Sequence, residues 1–458
     1  MKLLLTIIAA STFIVPISAQ CWQQVAAGFA HTTSIKSDGS LWVWGLNDAG
    51  QLGDGTYADK KSPVQIGTST TWRQAAAGFF HTAAIKSDGT LWAWGGNMDG
   101  QLGDGTNTGR NTPAQVGMDT DWQQVVTGFG HTVAIKNDGS LWAWGGNAIG
   151  QLGDGTYTSH LVPIQIDNAH NWQQVNVGFH HTVAIKNDGS LWAWGGNVNG
   201  AVGNGTNVHQ NTPVQIAPLS SWQEVEAGLN HTTALKSDGT LWAWGLNLYG
   251  ELGDGTIADH NVPVKIGTAT NWQQVAVGSH FTLALKSDST LWAWGWNVYG
   301  QLGDATTIDH KTPIQIGNDH DWLQVVTGHQ YAIALKNDGT LLTWGYNGSG
   351  ELGNGTNTDK STPTEIACPT SSTKSSLFSS NNLQISPNPA QGHLVVQMTA
   401  INVTDLHVEV RNILGEIVCP PQQFDFNQRI EVAHLARGIY TLIIYNQAGQ
   451  IAKQFIKL

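Results

Sequence analysis

The stretch WQQVAAGFAHTTSIKSDGSLWVWGLNDAGQLGDGT at residues 22–56 decides the fold, because it comes back six more times. Its leading tryptophan recurs as Trp72, Trp122, Trp172, Trp222, Trp272 and Trp322, a constant spacing of 50 residues without one insertion. A fixed period of this length marks a repeat architecture, in which each unit buries its apolar surface only against its neighbours. All 21 tryptophans of the 458-residue chain fall inside the repeats.

Within a unit the side chains alternate with period two, which predicts four short strands at 22–27, 31–36, 40–45 and 63–66. Asp38-Gly39 between the second and third strands is a hairpin signal, since the turn needs a positive φ that glycine adopts without steric cost. Trp42 and Trp44 share one face of their strand while Leu41 and Val43 take the other. Both faces are apolar, so both must be covered, and sheets covered on two sides and repeated seven times fit blades packed radially about an axis. A linear solenoid would need atypical capping units, whereas the first and seventh repeats here keep the full framework. The expected fold class is all-β: a seven-bladed β-propeller at 20–368 followed by a small C-terminal β-sandwich.

Composition and charge narrow the function. Between Trp22 and Cys368 there are 14 Lys and Arg against 28 Asp and Glu, within a whole-chain net charge of −12. An acidic body without a basic stripe cannot release counterions from a phosphate backbone, which argues against nucleic acid and against anionic membrane surfaces. Residues 1–19 read as an export signal, with Lys2, the apolar run Leu3 to Ile17 and a small-residue ending at Ala19. No other apolar run is long enough for a transmembrane span. Export permits disulfides. Cys21 and Cys368 bracket the repeats and a closed ring would bring them together; pairing of Cys368 with Cys419 is the alternative.

The paired motifs Gly28-Phe29-Ala30-His31-Thr32 and Trp44-Gly45-Leu46-Asn47-Asp48-Ala49-Gly50-Gln51-Leu52-Gly53-Asp54-Gly55 resemble the regulator of chromosome condensation (RCC) repeat. The resemblance covers residues 22 to about 366 and implies a seven-bladed propeller. The GTPase exchange activity of that family's founder is out of place on an exported, acidic chain, and the fold alone does not fix the task. After a Ser/Thr-rich linker at 369–381, residues 382–458 resemble a second family. Leu383-Gln384-Ile385-Ser386-Pro387-Asn388-Pro389, Ala436-Arg437-Gly438-Ile439-Tyr440-Thr441-Leu442 and Lys453-Gln454-Phe455-Ile456-Lys457-Leu458 are similar to the C-terminal sorting domain of the bacterial type IX secretion system. That resemblance implies the type IX machinery as a partner and a secreted or outer-surface location in a Gram-negative bacterium. Alternating runs at 393–399, 406–413, 429–435 and 439–445 are its expected strands.

His31, His81, His131, His181 and His231 occupy one framework position, so they are expected to hold each blade together by an internal hydrogen bond rather than to do chemistry. Asn47 and its equivalents are expected to satisfy turn backbone, and Lys36 and its equivalents to keep their ammonium groups solvated at a strand end. No nucleophile elbow, zinc-binding helix motif, phosphate loop or cysteine pair of the metal-binding kind is present. The Gly53 to Thr56 loops carry one carboxylate each, too few for calcium. The expectation is therefore no enzyme, no cofactor and no metal.

Variation among the repeats gathers at the positions of 29, 30, 46, 48, 49 and 57–62, which antiparallel strands place on one face; the connectors on the other face vary as well. Rigid framework with variable loops is how a scaffold presents a recognition surface. Blades five to seven carry Tyr249, Trp296, Tyr299 and Tyr346 in those loops, with His280 and His329 nearby, residues suited to anchoring an extracellular protein or glycan. These six are the candidate ligand-binding residues. Competing readings are an adhesion or surface spacer, and a polysaccharide-acting enzyme, which would need His, Tyr and a charged group clustered together. Ser289, Ala305, Phe281, Tyr331 and Leu342 depart from the framework in blades six and seven. Ser289 is expected to keep the positive φ of the glycine it replaces.

Overall fold

The hairpin at the centre of each repeat forms as its residues dictate. Gly39 sits at φ 78°, and the Asp38 carboxylate accepts the backbone N–H and the hydroxyl of Ser40 at 2.9 and 2.5 Å, closing the turn. The computed structural model describes residues 21–218, 221–369, 383–398, 406–412, 416–424, 427–446 and 449–458. The expected export signal at 1–19 and, apart from Pro369, the expected linker lie outside the described residues. The chain divides into two units, Met1–Cys368 and Pro369–Leu458.

In the first unit each repeat is one four-stranded antiparallel sheet with its strands in chain order. In blade one these are Trp22–Ala27, His31–Lys36, Leu41–Gly45 and Lys60–Gln65. The fourth strand begins three residues before the expected Pro63, because a register shift between Val43 and Gly45 pairs Gly45 with Lys60. Seven such sheets make the propeller, with the first strand of each lining an axial channel and the fourth facing outward. The sheets pack face to face: Ile35, Leu41, Val43, Leu52 and Ile66 of blade one meet Trp72, Ala75, Ala84 and Trp94 of blade two.

Polar side chains stitch the blades at the same seams. The histidine bond runs between blades rather than inside each one: His31 Nε2 lies 2.9 Å from Thr82 Oγ1, and His81 pairs likewise with Thr132. The Thr132 hydroxyl donates to the Gln101 carbonyl at 2.8 Å, so the His81 Nε2–H donates to Thr132 and Nδ1 is left as an acceptor. That Nδ1 is buried without a partner among the described residues. Charging the ring would bury a second donor with nothing to receive it, and burial lowers the pKa of His31, His81, His131 and His181 to about 3. Lys36 also departs from expectation. Its ammonium is not left in bulk water but lies 5.6 Å from the Trp22 ring and 4.2 Å from the Trp42 ring. Blades two to six repeat the sandwich, and in blade seven, where Leu342 removes the second ring, Lys336 keeps Trp322 and pairs with Asp319 and Asp321.

The ring closes by the same contacts. Trp22, Val25, Trp42 and Trp44 pack on Tyr331, Ile333, Leu335, Leu341, Leu352 and Ile366 of blade seven. The backbone N–H of His329 donates to the Gly28 carbonyl at 3.2 Å. Cys21 and Cys368 form a disulfide with Cα atoms 6.0 Å apart, and Cys419 is a free, buried thiol. Blade six breaks the His–Thr series with Phe281, and blade seven answers with Ala332 where a threonine would stand; both lie in one apolar cluster. Ser289 and Ala305 hold φ of 59° and 66°, the left-handed region of the glycines they replace.

The second unit has a three-stranded and a four-stranded antiparallel sheet. The expected runs correspond to His393–Met398, His407–Arg411, Asn427–Glu431 and Gly438–Asn446, joined by Leu383–Ser386, Ile417–Gln423 and Gly449–Lys457. Leu394, Val396, Val408, Leu442, Ile444 and Phe455 are in its core.

Candidate functional site

The long loops between third and fourth strands are rigid because one asparagine holds each of them. In blade six, Asn297 Oδ1 accepts the Leu302 N–H at 2.9 Å while Nδ2 donates to the carbonyls of Thr306 and Ile308 at 3.3 and 3.1 Å. Asp309 accepts the Asn297 N–H at 2.8 Å. The loop also sits close on the next blade: a Cβ at Gly303 would fall 2.8 Å from Trp344 Nε1, and Gly303 has φ 81°. Side chains projecting from such loops are held in place by the scaffold.

Five of the six candidate residues come together on this frame. Tyr249 lies 5.5 Å from Trp296, Trp296 lies 5.5 Å from Tyr299, and Tyr299 lies 4.9 Å from Tyr346, ring centre to ring centre. His280 stands 5.2 Å from Tyr249 and 6.0 Å from Trp296. The result is an unbroken ribbon of half-buried rings across blades five, six and seven. The same loops expose Leu248 and Ile257 in blade five and Val298 and Ile308 in blade six. Tyr57, Met98, Tyr157, Val198 and Val208 are exposed in the first four blades without such a ribbon.

His329 is placed differently. It joins an axial cluster at the mouth of the channel, 4.4 Å from Phe29, which stacks on Phe79 at 3.9 Å; Phe129 and Phe179 complete the cluster. Burial, and then the nearness of His280, lower its pKa to about 4.

Two glutamates outside the six candidates lie under the ribbon. Glu251 is fully buried, accepts the Tyr249 N–H at 2.7 Å and lies 3.1 Å from His280 Nδ1. Glu351 is equally buried; one oxygen accepts the Ser349 N–H at 2.9 Å, and Oε1 has no partner among the described residues. Burial raises the Glu351 pKa to about 7, and Asp59 and Asp359 add to the rise. Burial, Glu351, Asp359 and Tyr299 raise that of the Tyr346 phenol. The signal was the exchange of glutamine for glutamate: Gln51, Gln101, Gln151 and Gln301 stand at the equivalent positions.

A second polar feature lies in the axial channel, a cavity of about 510 Å³. Gln24 spans to the next blade, accepting the Ala75 N–H at 3.0 Å and donating to its carbonyl at 3.3 Å, and the pattern recurs. Glu224 stands at one of these positions and still accepts the Val275 N–H at 3.2 Å but has no amide donor to return, and Glu226 lies two residues further along the same strand. Enclosure raises Glu224 to about 8 and Glu226 well above the usual carboxyl range, with Asn176 donating to Glu226 at 2.6 Å. Among the described residues no three metal-ligating side chains are grouped to hold an ion, and no helix is long and apolar enough to cross a membrane.

Comparisons with known proteins agree with this architecture. Residues 74–383 match the family described as the RCC1-like domain, and residues 22–51 and 38–85 match the regulator of chromosome condensation (RCC1) repeat. Residues 384–458 match the secretion system C-terminal sorting domain. Among curated proteins, the chain is 46% identical over 43 residues to the ultraviolet-B receptor UVR8 of Arabidopsis thaliana, 9% of this chain and 10% of the receptor. It is 44% identical over 43 residues to the probable E3 ubiquitin-protein ligase HERC3 of Homo sapiens, 9% of this chain and 4% of that one. The chain thus spans no more than a tenth of these relatives. Among solved structures, human WBSCR16 superposes with a TM-score of 0.66 at 22% identity, covering 72% of this chain and 94% of that one. Saccharomyces cerevisiae Prp20p gives 0.65 at 21% identity, covering 75% and 87%. At such identities the likeness concerns the fold.

Proposed function

The chain belongs to the RCC1-like domain family and ends in a secretion system C-terminal sorting domain, and from that premise we propose that it is a secreted or surface-displayed, non-catalytic binding propeller that docks an extracellular protein on the loop face of blades five to seven. The sorting domain directs the chain to the type IX machinery and so to the cell surface or the medium. The observation that carries the binding reading is the continuous ribbon Tyr249–Trp296–Tyr299–Tyr346. Rigid aromatic rings supply contact area at little entropic cost and dominate binding energetics where they cluster. Exposed Leu248, Ile257, Val298 and Ile308 favour a protein over a glycan, because branched aliphatic side chains bury apolar area well but offer no flat face to a sugar.

The test is a screen of the full chain against extracellular proteins and glycans, repeated with Trp296→Ala and Tyr299→Ala. Docking that falls at least tenfold in these variants supports the reading; binding indifferent to both substitutions overturns it.

One observation favours a polysaccharide-acting enzyme as a second reading: His280, held by the buried Glu251, stands beside Tyr249. A histidine oriented by a carboxylate next to a phenol has the makings of a proton-transfer pair. Release of reducing or unsaturated ends from anionic polysaccharides, abolished by His280→Ala, would establish it in place of the binder.

A further inference from the structure

Two seams of the propeller carry a buried glutamate at the same position, and the protein completes one of them and leaves the other open. Between blades five and six, the second oxygen of Glu251 is met by His280 at 3.1 Å. Between blades seven and one, the residue at the position of His280 is Ala30, and no imidazole reaches Glu351. Glu351 is fully buried, yet its Oε1 has no hydrogen-bond partner among the described residues. An unpartnered carboxylate oxygen inside a protein is costly to keep, and four of the seven blades carry the neutral amide there. Nothing in the framework requires the charge, since Gln51 and Gln101 give the same turn bond as Glu351, accepting the N–H two residues before them at 2.9 Å.

We infer that Glu351 is the counter-charge for an arginine or lysine side chain of the docked protein, entering at the seam between blades seven and one at the end of the aromatic ribbon. The inference rests on the docking role proposed for that ribbon. Tyr346, its last ring, is close enough to feel the Glu351 charge and carries a face suited to the flank of a guanidinium or ammonium group. Asp59 of blade one and Asp359 of blade seven stand close enough to act on Glu351 too. A cation brought here supplies to Glu351 the donor that His280 supplies to Glu251. The scaffold already holds ammonium groups against rings, with Lys86 3.8 Å from the Trp92 ring. The acidic charge of the propeller suits a basic partner segment.

The test titrates the full chain with Nα-acetyl-arginine methylamide and Nα-acetyl-lysine methylamide, with Nα-acetyl-norleucine methylamide as the uncharged control. The cationic probes are expected to bind and the control not. Glu351→Gln, which copies Gln51 and Gln301, and Ala30→His, which copies His280, should each weaken binding by about tenfold or more, equivalent to about 1.4 kcal/mol. Glu224→Gln removes a carboxylate in the channel and should leave probe affinity unchanged. Absence of cation binding, wild-type affinity in Glu351→Gln, or an equal loss in Glu224→Gln overturns the inference. Should Ala30→His fail to fold, Glu351→Gln decides alone. Protein docking lost in Trp296→Ala with cation binding unchanged in Glu351→Gln removes this inference and spares the ribbon. Cation binding lost in Glu351→Gln with docking indifferent to Trp296 does the reverse.

Discussion

The indole N–H of Trp44 in the first blade donates to the backbone carbonyl of Glu351 in the last at 2.8 Å, across 307 residues of sequence. The same bond joins Trp94 to Gln51, Trp144 to Gln101 and every later pair of neighbours, so the closing seam is chemically one more internal seam. A seam of this kind is polar and apolar at once, since each indole is buried and its one donor is satisfied.

The disulfide ties the residue just before the first strand of blade one to the second residue after the last strand of blade seven. Cross-linking so long a loop restricts the unfolded chain, and replacing Cys21 and Cys368 by alanine is expected to cost about 2–5 kcal/mol. Denaturant titration of the variant beside the oxidised protein measures this. A midpoint unchanged by the double substitution would show that seam packing alone holds the ring.

Tyr331 takes the place of the seam histidine in blade seven, donating to the His31 carbonyl at 2.7 Å with Thr32 Oγ1 3.0 Å away. Tyr331→Phe should destabilise by about 1–3 kcal/mol by stranding these groups. His81→Phe should do the same at an internal seam, whereas His81→Phe with Thr132→Ala copies the Phe281–Ala332 pair and should recover part of the loss. A double-mutant cycle read by chemical denaturation gives the coupling, and strict additivity would refute it.

Ser289 and Ala305 hold left-handed backbone that costs a side chain about 1 kcal/mol. Ser289→Gly and Ala305→Gly are each expected to raise stability by several tenths to about 1 kcal/mol, with no change in binding. Calorimetric melting of the two variants checks the sign.

Stability should peak near pH 6. The seam histidines, with pKa lowered to about 3, bind fewer protons folded than unfolded, so their contribution is full above the unfolded value of 6.5 and is lost as pH falls toward 3. Glu351 and Glu224, raised to about 7 and 8, bind more protons folded than unfolded; their contribution is full below 4.5 and is lost as pH rises through 7 and 8. Melting temperature is expected to drop by on the order of 10 °C from pH 6 to 4 and by a smaller amount from pH 6 to 9. In Glu351→Gln the alkaline arm should flatten; an unaltered arm would assign it to other groups.

The period, the strand count and the closure of the ring were legible because each depends on spacing alone. Trp22 to Trp322 repeat without slippage, and an apolar face on either side of every sheet leaves radial packing as the way to cover both. The sequence does not tell the seam histidines' bond to the next blade from a bond inside their own, because a residue that recurs with the repeat looks the same whether its partner is one strand away or 51 residues on. That Lys36 is held between rings is not visible in the sequence, because Trp22 and Trp42 come from two other strands and meet only in the folded sheet. At the site, the loop aromatics stood out against the smaller residues of other blades. Glu251 and Glu351 did not, since a glutamate fits the same turn as the glutamine it replaces. His329 lies at the channel mouth because it holds the first position of its short loop, in line with Phe29 and Phe79, whereas His280 holds the second and meets the long loop of the preceding blade.

Each of the seven propeller sheets is made wholly from one repeat, and among the described residues none of the seven borrows a strand from another repeat. Unequal recombination between gene segments of equal length would therefore add or remove an intact blade rather than leave half of one. Descendants of such an event would differ in circumference while keeping every seam chemically familiar, and the bridge outside the repeats would face the new gap unchanged.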